Sequence, residues 1–152
     1  MKFAARFARF LLLAAVALYA AALQAQGWQP AQAQAAKAQE TYARFVAATD
    51  EGRYKDAYAM LGAPMKAMTG YDQYVAYHEE FRNISGGSPR REPPRVDWYK
   101  DPPGAPAPGI YAIFKSKCAF RDLSACEETV VLHEQAGGGF LVMRAERSYV
   151  KR

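Results

Sequence analysis

The chain has 152 residues, two cysteines and a formal net charge of +5. That length bounds it to one domain with a real core and leaves little room for two. The positive charge is concentrated at the start: removing Lys2, Arg6 and Arg9 leaves 17 basic against 15 acidic side chains. A nucleic-acid binder is therefore excluded as the leading class, because such a domain would keep its positive charge in the folded part.

The first segment reads as an export leader. Basic residues come first, the 14-residue apolar run Phe10–Leu23 second, and small residues third, which is the order of a secretory signal. As a helix that run reaches only about 21 Å, short of the ~30 Å hydrocarbon core, so cleavage is expected rather than a lasting membrane span. Ala22 and Ala25 bracket the expected cut. The expected division is leader 1–25, flexible Ala/Gln-rich lead 26–35 and one domain over 36–152, in a periplasmic or secreted protein.

In the mature part, Ala38, Tyr42, Phe45, Val46 and Thr49 line one helix face from about Ala33 to Thr49, ended by Asp50-Glu51-Gly52. Tyr54, Ala57, Tyr58 and Leu61 predict a second short helix, stopped at Gly62-Ala63-Pro64. A third is expected to begin near Thr69, with Asp72 completing a capping box, and to carry the stripe Tyr74, Val75, His78 and Phe81. Asn83–Pro94 reads as a loop.

From Arg95 the period becomes two. Arg95–Tyr99, Ile110–Phe120, Glu127–Glu134 and Phe140–Tyr149 are expected strands, and the prolines between Lys100 and Gly109 exclude a central strand there. Helices first and an antiparallel meander last predict an α+β fold.

Cys118 and Cys126 are expected to form a disulfide, as an even count in an exported chain suggests. Setting them opposite each other in a hairpin places Lys117 against Glu127, Phe114 against Val130, Ala112 against Leu132, Ile113 against Val131 and Tyr111 against His133. Charges meet opposite charges and apolar residues meet apolar ones, so the register is self-consistent. Seven residues separate the two cysteines, which does not fit the two-residue spacing usual in redox motifs.

The order of these features resembles the exported bacterial DUF4019 family, a domain of unknown function. The likeness runs from about Ala36 to Tyr149. It is carried by Val46-Ala-Ala-Thr-Asp-Glu-Gly-Arg-Tyr54 with Ala57-Tyr58, by Phe81-Arg82 leading to Gly86-Gly87 and Arg90-Arg91, by Pro108-Gly109-Ile-Tyr111, and by Glu127–Leu132 with a final strand. Tyr58, Phe140 and Leu141 stand where tryptophan is common in that family. The resemblance implies an NTF2-like, cystatin-like cone of helices over a curved antiparallel sheet, and it implies no known reaction.

No nucleotide loop, nucleophile elbow or zinc-protease motif is present, and two histidines with paired cysteines make a poor metal set. No cofactor and no metal are therefore expected. Acid–base chemistry in a cone would need an inward carboxylate; Asp97 and His78 are the candidates, with tyrosines supplying hydroxyls. The candidate binding residues are Gly86, Gly87, Arg90 and Arg91, whose backbone amides and guanidinium groups suit an anion, together with Tyr74 and Trp98. The leading expectation is a non-catalytic module binding an envelope protein or a small ligand; the alternative is a small NTF2-like isomerase or dehydratase. An outer sheet face carrying Ile113 and Val131 suggests a homodimer as a third possibility.

Overall fold

The structure, a computed structural model, describes residues 28–152; the expected leader lies outside them. Four helices precede five strands: α1 (Gln32–Asp50), α2 (Tyr54–Ala59), α3 (Ala63–Met68), α4 (Tyr71–Ser85), β1 (Arg90–Arg91), β2 (Arg95–Lys100), β3 (Ile110–Ala119), β4 (Leu123–Glu134) and β5 (Phe140–Lys151). The sheet is antiparallel, with β1 and β2 both on one edge of β3, then β4, then β5. The α+β class is as the sequence predicts.

Helix α1 buries Ala38, Tyr42, Phe45 and Ala48, the three-to-four spacing of one helix face. Tyr42 stacks flat on Phe114 of β3, with ring centroids 4.4 Å apart. Phe114 in turn pairs with Val130, and these residues join Leu132, Phe140 and Val142 in the main core. Full burial of a large apolar side chain contributes roughly 1.5–3 kcal/mol, so this inward row is what fixes the sheet's register.

The β3–β4 register is the one the cysteines imply: Lys117 opposite Glu127, Phe114 opposite Val130, Ala112 opposite Leu132, Tyr111 opposite His133. Cys118 and Cys126 form the disulfide. It sits in a second small core with Phe81, Phe120 and Leu123, beneath the C-terminal half of α4.

Several boundaries differ from expectation: α1 already begins at Gln32, inside the lead expected to be flexible, Arg90–Arg91 pair as β1 inside the expected loop, and β4 begins at Leu123 instead of Glu127. Pro64 does not stop a helix but opens α3, at a position where a missing N–H costs nothing. Thr69 does not cap α4: the N-cap is Gly70, with no side-chain bond, and Thr69 closes α3 while its carbonyl accepts the Tyr58 hydroxyl. Asn83, Ile84 and Ser85 continue α4 instead of forming a loop. The helix ends at Gly86, whose φ of 78° needs glycine and where a Cβ would lie 2.1 Å from Asp122 Oδ2.

The proline-rich stretch folds back onto the outer sheet face. Tyr111 donates to the carbonyl of Ala107, and His133 Nε2 lies 3.0 Å from that of Pro108. This explains why Tyr111 is buried on the side away from the helices. Ile113 and Val131, on the same outer face, are half-buried.

Helices α2 and α3 are joined against β5. Val142 N–H donates to Met60 O and Gly62 N–H to Val142 O, at 2.9 and 2.8 Å. That tie holds the α2–α3 junction beside the sheet edge and leaves a gap further along β5.

Candidate functional site

The gap is a cleft of about 650 Å³ bounded by α1, α3, α4 and the inner face of β4 and β5. Phe45, Val46 and Thr49 come from α1, and Met65 and Thr69 from α3 and its end. Gln73, Tyr74, Tyr77 and His78 come from one side of α4, while Val130, Ala145 and Arg147 belong to the sheet. The α4 residues share a wall because three- and four-residue steps bring side chains together on a helix.

The floor is a paired charge network. Arg91 grips the Asp50 carboxylate with both terminal nitrogens and the Glu128 carboxylate with Nε and Nη2. Arg147 donates from Nε to Glu128 Oε1 at 2.7 Å and lays its guanidinium 3.9 Å over the Phe81 ring. The side chains of Glu128, Arg147 and Arg91 are only 6%, 10% and 13% exposed. Two carboxylates therefore face two guanidinium groups, which is the condition for tolerating buried charge.

Electrostatics follow from that pairing. Burial pushes the Glu128 carboxyl up, but its bond to Arg91 and the charges of Arg147 and Arg91 outweigh burial and hold it below the ordinary value. Burial prevails at Asp50, whose carboxyl is raised despite Arg91. The Arg91 guanidinium is held more firmly protonated than usual: burial opposes this, and the bonds to Glu128 and Asp50 overcome it.

The α4 wall above the floor, with Gln73, Tyr74, Tyr77 and His78, is uncharged. Burial, helped by the nearby charge of Arg147, lowers His78 to about 4. Its ring lies 4.4 Å from Tyr74 and 5.1 Å from Tyr77. Tyr74 is 5% exposed, and among the described residues its hydroxyl makes no hydrogen bond of good geometry, the Thr49 hydroxyl beside it being given to the Phe45 carbonyl. Burial pushes that hydroxyl up to about 12, with the neighbouring Thr49 hydroxyl offsetting a part.

Of the residues singled out from sequence, Arg91, Tyr74 and His78 meet at this cleft. Gly87 reaches a small recess beside it, bordered by Asp50 and Arg147. The rest lie elsewhere. Gly86 is a helix cap crowded by Asp122, and Arg90 is exposed. The anion-nest reading therefore loses its charge: Arg91, the arginine that would take an anion, is already occupied by Asp50 and Glu128. Trp98 faces inward but packs edge-on to Phe140, at the other end of the core.

Asp97 is on the wrong face for an inward base. It sits opposite Ile113, on the outer side, bonded to Arg95 at 2.8 Å with Lys115 at 3.5 Å. Those two cations hold its carboxyl below the usual range, Arg95 first.

The inward carboxylates are Glu128 and Asp50, and the inward cation beside them is Arg147; the sequence reading passed over all three. Glu128 carried a legible signal. It stands two residues before Val130 and four before Leu132, so strict alternation turns it to the core face.

The family model described as a protein of unknown function, DUF4019, matches residues 38–143. No curated protein matches the sequence. Two solved Catenulispora acidiphila chains are similar in structure. One, at 2.5 Å, has a TM-score of 0.52 and 16% identity, over 75% of this chain and 89% of its own. The other, at 2.35 Å and in complex with S-DNPA, has a TM-score of 0.52 and 17% identity, over 75% and 91%. At that identity the likeness concerns the fold alone.

Proposed function

The chain belongs to the DUF4019 family, and from that premise we propose that it is an exported, non-catalytic binding module whose cleft receives a small ligand. We read the fold as an NTF2-like cone, with the cleft as its mouth. The observation that carries the binding reading is the cleft wall itself: about 650 Å³ of space beside a buried tyrosine hydroxyl that makes no hydrogen bond of good geometry among the described residues. A buried polar group left unpaired costs roughly 1–3 kcal/mol, and a ligand that pairs with it recovers that cost.

The protonation states favour binding over acid–base catalysis. A general acid or base works best with a pKa near the operating pH. Glu128 is held low by two arginines, His78 is near 4 and Tyr74 near 12, so none is poised at neutrality. Export is supported by the apolar leader Phe10–Leu23 and by the Cys118–Cys126 disulfide, which persists in oxidising compartments.

Nile red, an uncharged dye, tests the cleft. Its fluorescence should rise with wild type and lose that rise with Ala145→Trp or with Gln73→Trp, the latter at an exposed helix position. Equal signals from all three proteins would remove the reading. Envelope fractions of cells making the full chain should yield protein whose mass lacks the leader; an intact leader there would remove the export reading.

A further inference from the structure

Resting on that reading of the cleft, we propose that the ligand is an uncharged ring compound with one carbonyl or hydroxyl head group, received by the His78 imidazole and the Tyr74 hydroxyl. Three features lead to that class. The first is charge. Asp50, Arg91, Glu128 and Arg147 already pair two against two. An entering anion would have to displace Glu128 from its guanidinium partners. An entering cation would meet Arg147 beside the His78 wall; of the other two carboxylates lining the cleft, Glu146 pairs with Arg144 and Glu127 is exposed. An anion would lose water without gaining a free partner, which is strongly unfavourable, and a cation would find only the solvent-exposed Glu127, where pairing contributes little.

The second is shape. The His78 ring lies 4.4 Å from that of Tyr74, tilted, and 5.1 Å from that of Tyr77, edge-on. Planar rings extend such a cluster favourably. The third is unused hydrogen bonding. Among the described residues Tyr74 Oη makes no hydrogen bond of good geometry, and it is sealed from solvent behind the cleft wall, so a ligand reaches it as that wall moves aside. His78 is half-buried, lines the same cleft and holds its ring 4.4 Å from that of Tyr74. A neutral imidazole and a phenol each offer a donor and an acceptor, so a carbonyl or hydroxyl head group suits both and an alkyl group suits neither.

Three probes sharing one ring system decide the matter: 2-acetonaphthone, 2-naphthoate and 2-naphthylmethylammonium, titrated at pH 7 into the full mature domain with backbone amide shifts as readout. The expected result is that 2-acetonaphthone moves the amides of Tyr74, Tyr77 and His78 and binds at least about tenfold tighter than either ion. Tyr74→Phe and His78→Phe should each weaken it about five- to tenfold, the loss of one buried hydrogen bond. Tyr74→Phe should at the same time raise the melting temperature of the free protein, because it deletes an unpaired hydroxyl. That opposite movement separates a binding role from a structural one.

Two results overturn the assignment: an ion binding as well as the ketone, or both phenylalanine variants binding the ketone like wild type. If a charged probe wins while the cleft amides still move, the ligand class falls and the cleft remains a binding site. If no probe moves those amides, the small-ligand reading falls with it.

Discussion

Glu128→Gln should be the most damaging single change at the cleft floor. The substitution keeps the shape and one acceptor oxygen but deletes the charge that both guanidinium groups share. Arg91 would keep only Asp50. Arg147, 10% exposed, would have no carboxylate. Breaking a buried pair by removing one member costs roughly 3–5 kcal/mol, since it leaves uncompensated charge inside. Taking about 3 kcal/mol and about 4 °C per kcal/mol for a domain of this size gives a fall near 12 °C in melting temperature.

Asp50→Asn gives the internal comparison. Burial raises the Asp50 carboxyl, so its ionised form is less comfortable in the fold than in water, and at neutral pH it costs stability relative to an unperturbed group. Glu128 is depressed and contributes stability, present above its unfolded pKa and lost as pH falls through the folded one. Asp50→Asn should therefore cost clearly less than Glu128→Gln. Urea unfolding at pH 7, followed by circular dichroism, measures both. A Glu128→Gln cost below about 1 kcal/mol, or the reverse order of the two variants, would refute the reasoning.

Cys118→Ala with Cys126→Ala should cost about 2.5 kcal/mol, the chain-entropy value for so short a loop, and the same loss should follow when wild type is unfolded in urea with a reductant. His78 should make the protein acid-sensitive. Its folded pKa near 4 lies below the unfolded value near 6.5, so the unfolded chain takes up a proton that the fold refuses, and stability drops as pH falls from 6.5 towards 4. The drop is no more than about 3 kcal/mol, less because the ring is partly exposed, and His78→Gln should flatten it in urea melts at pH 7, 5.5 and 4.5. Gly86→Ala should cost more than about 1 kcal/mol by thermal melting, because it combines a left-handed backbone with a clash against Asp122.

The sheet was the most legible part of the sequence. Two cysteines and one favourable charge pair set the β3–β4 register, and Phe114, Val130 and Leu132 follow from it. The helix punctuation was less legible, because proline and threonine each have two meanings. Pro64 opens a helix as readily as it ends one, and Thr69-Gly-Tyr-Asp72 imitates a cap whose place Gly70 takes. Half of the cleft was visible in the α4 stripe, where Tyr74 and His78 share a helical face. The other half was not, since Asp50, Glu128 and Arg147 come from three distant elements and only folding brings them to Arg91. Asp97 misled because its setting on a strand says nothing about which face it takes; counting the alternation outward from Ile113 resolves it.

The central claim is that the space beside Tyr74 and His78 is a seat for an uncharged ring. A crystal structure of the mature domain grown with 2-acetonaphthone tests it most directly. The account predicts the naphthalene ring against Tyr77 and His78, with its carbonyl oxygen within hydrogen-bond distance of the His78 ring or Tyr74 Oη. A ring lodged instead on the outer face beside Ile113 and Val131, with the Tyr74 hydroxyl untouched, would contradict it.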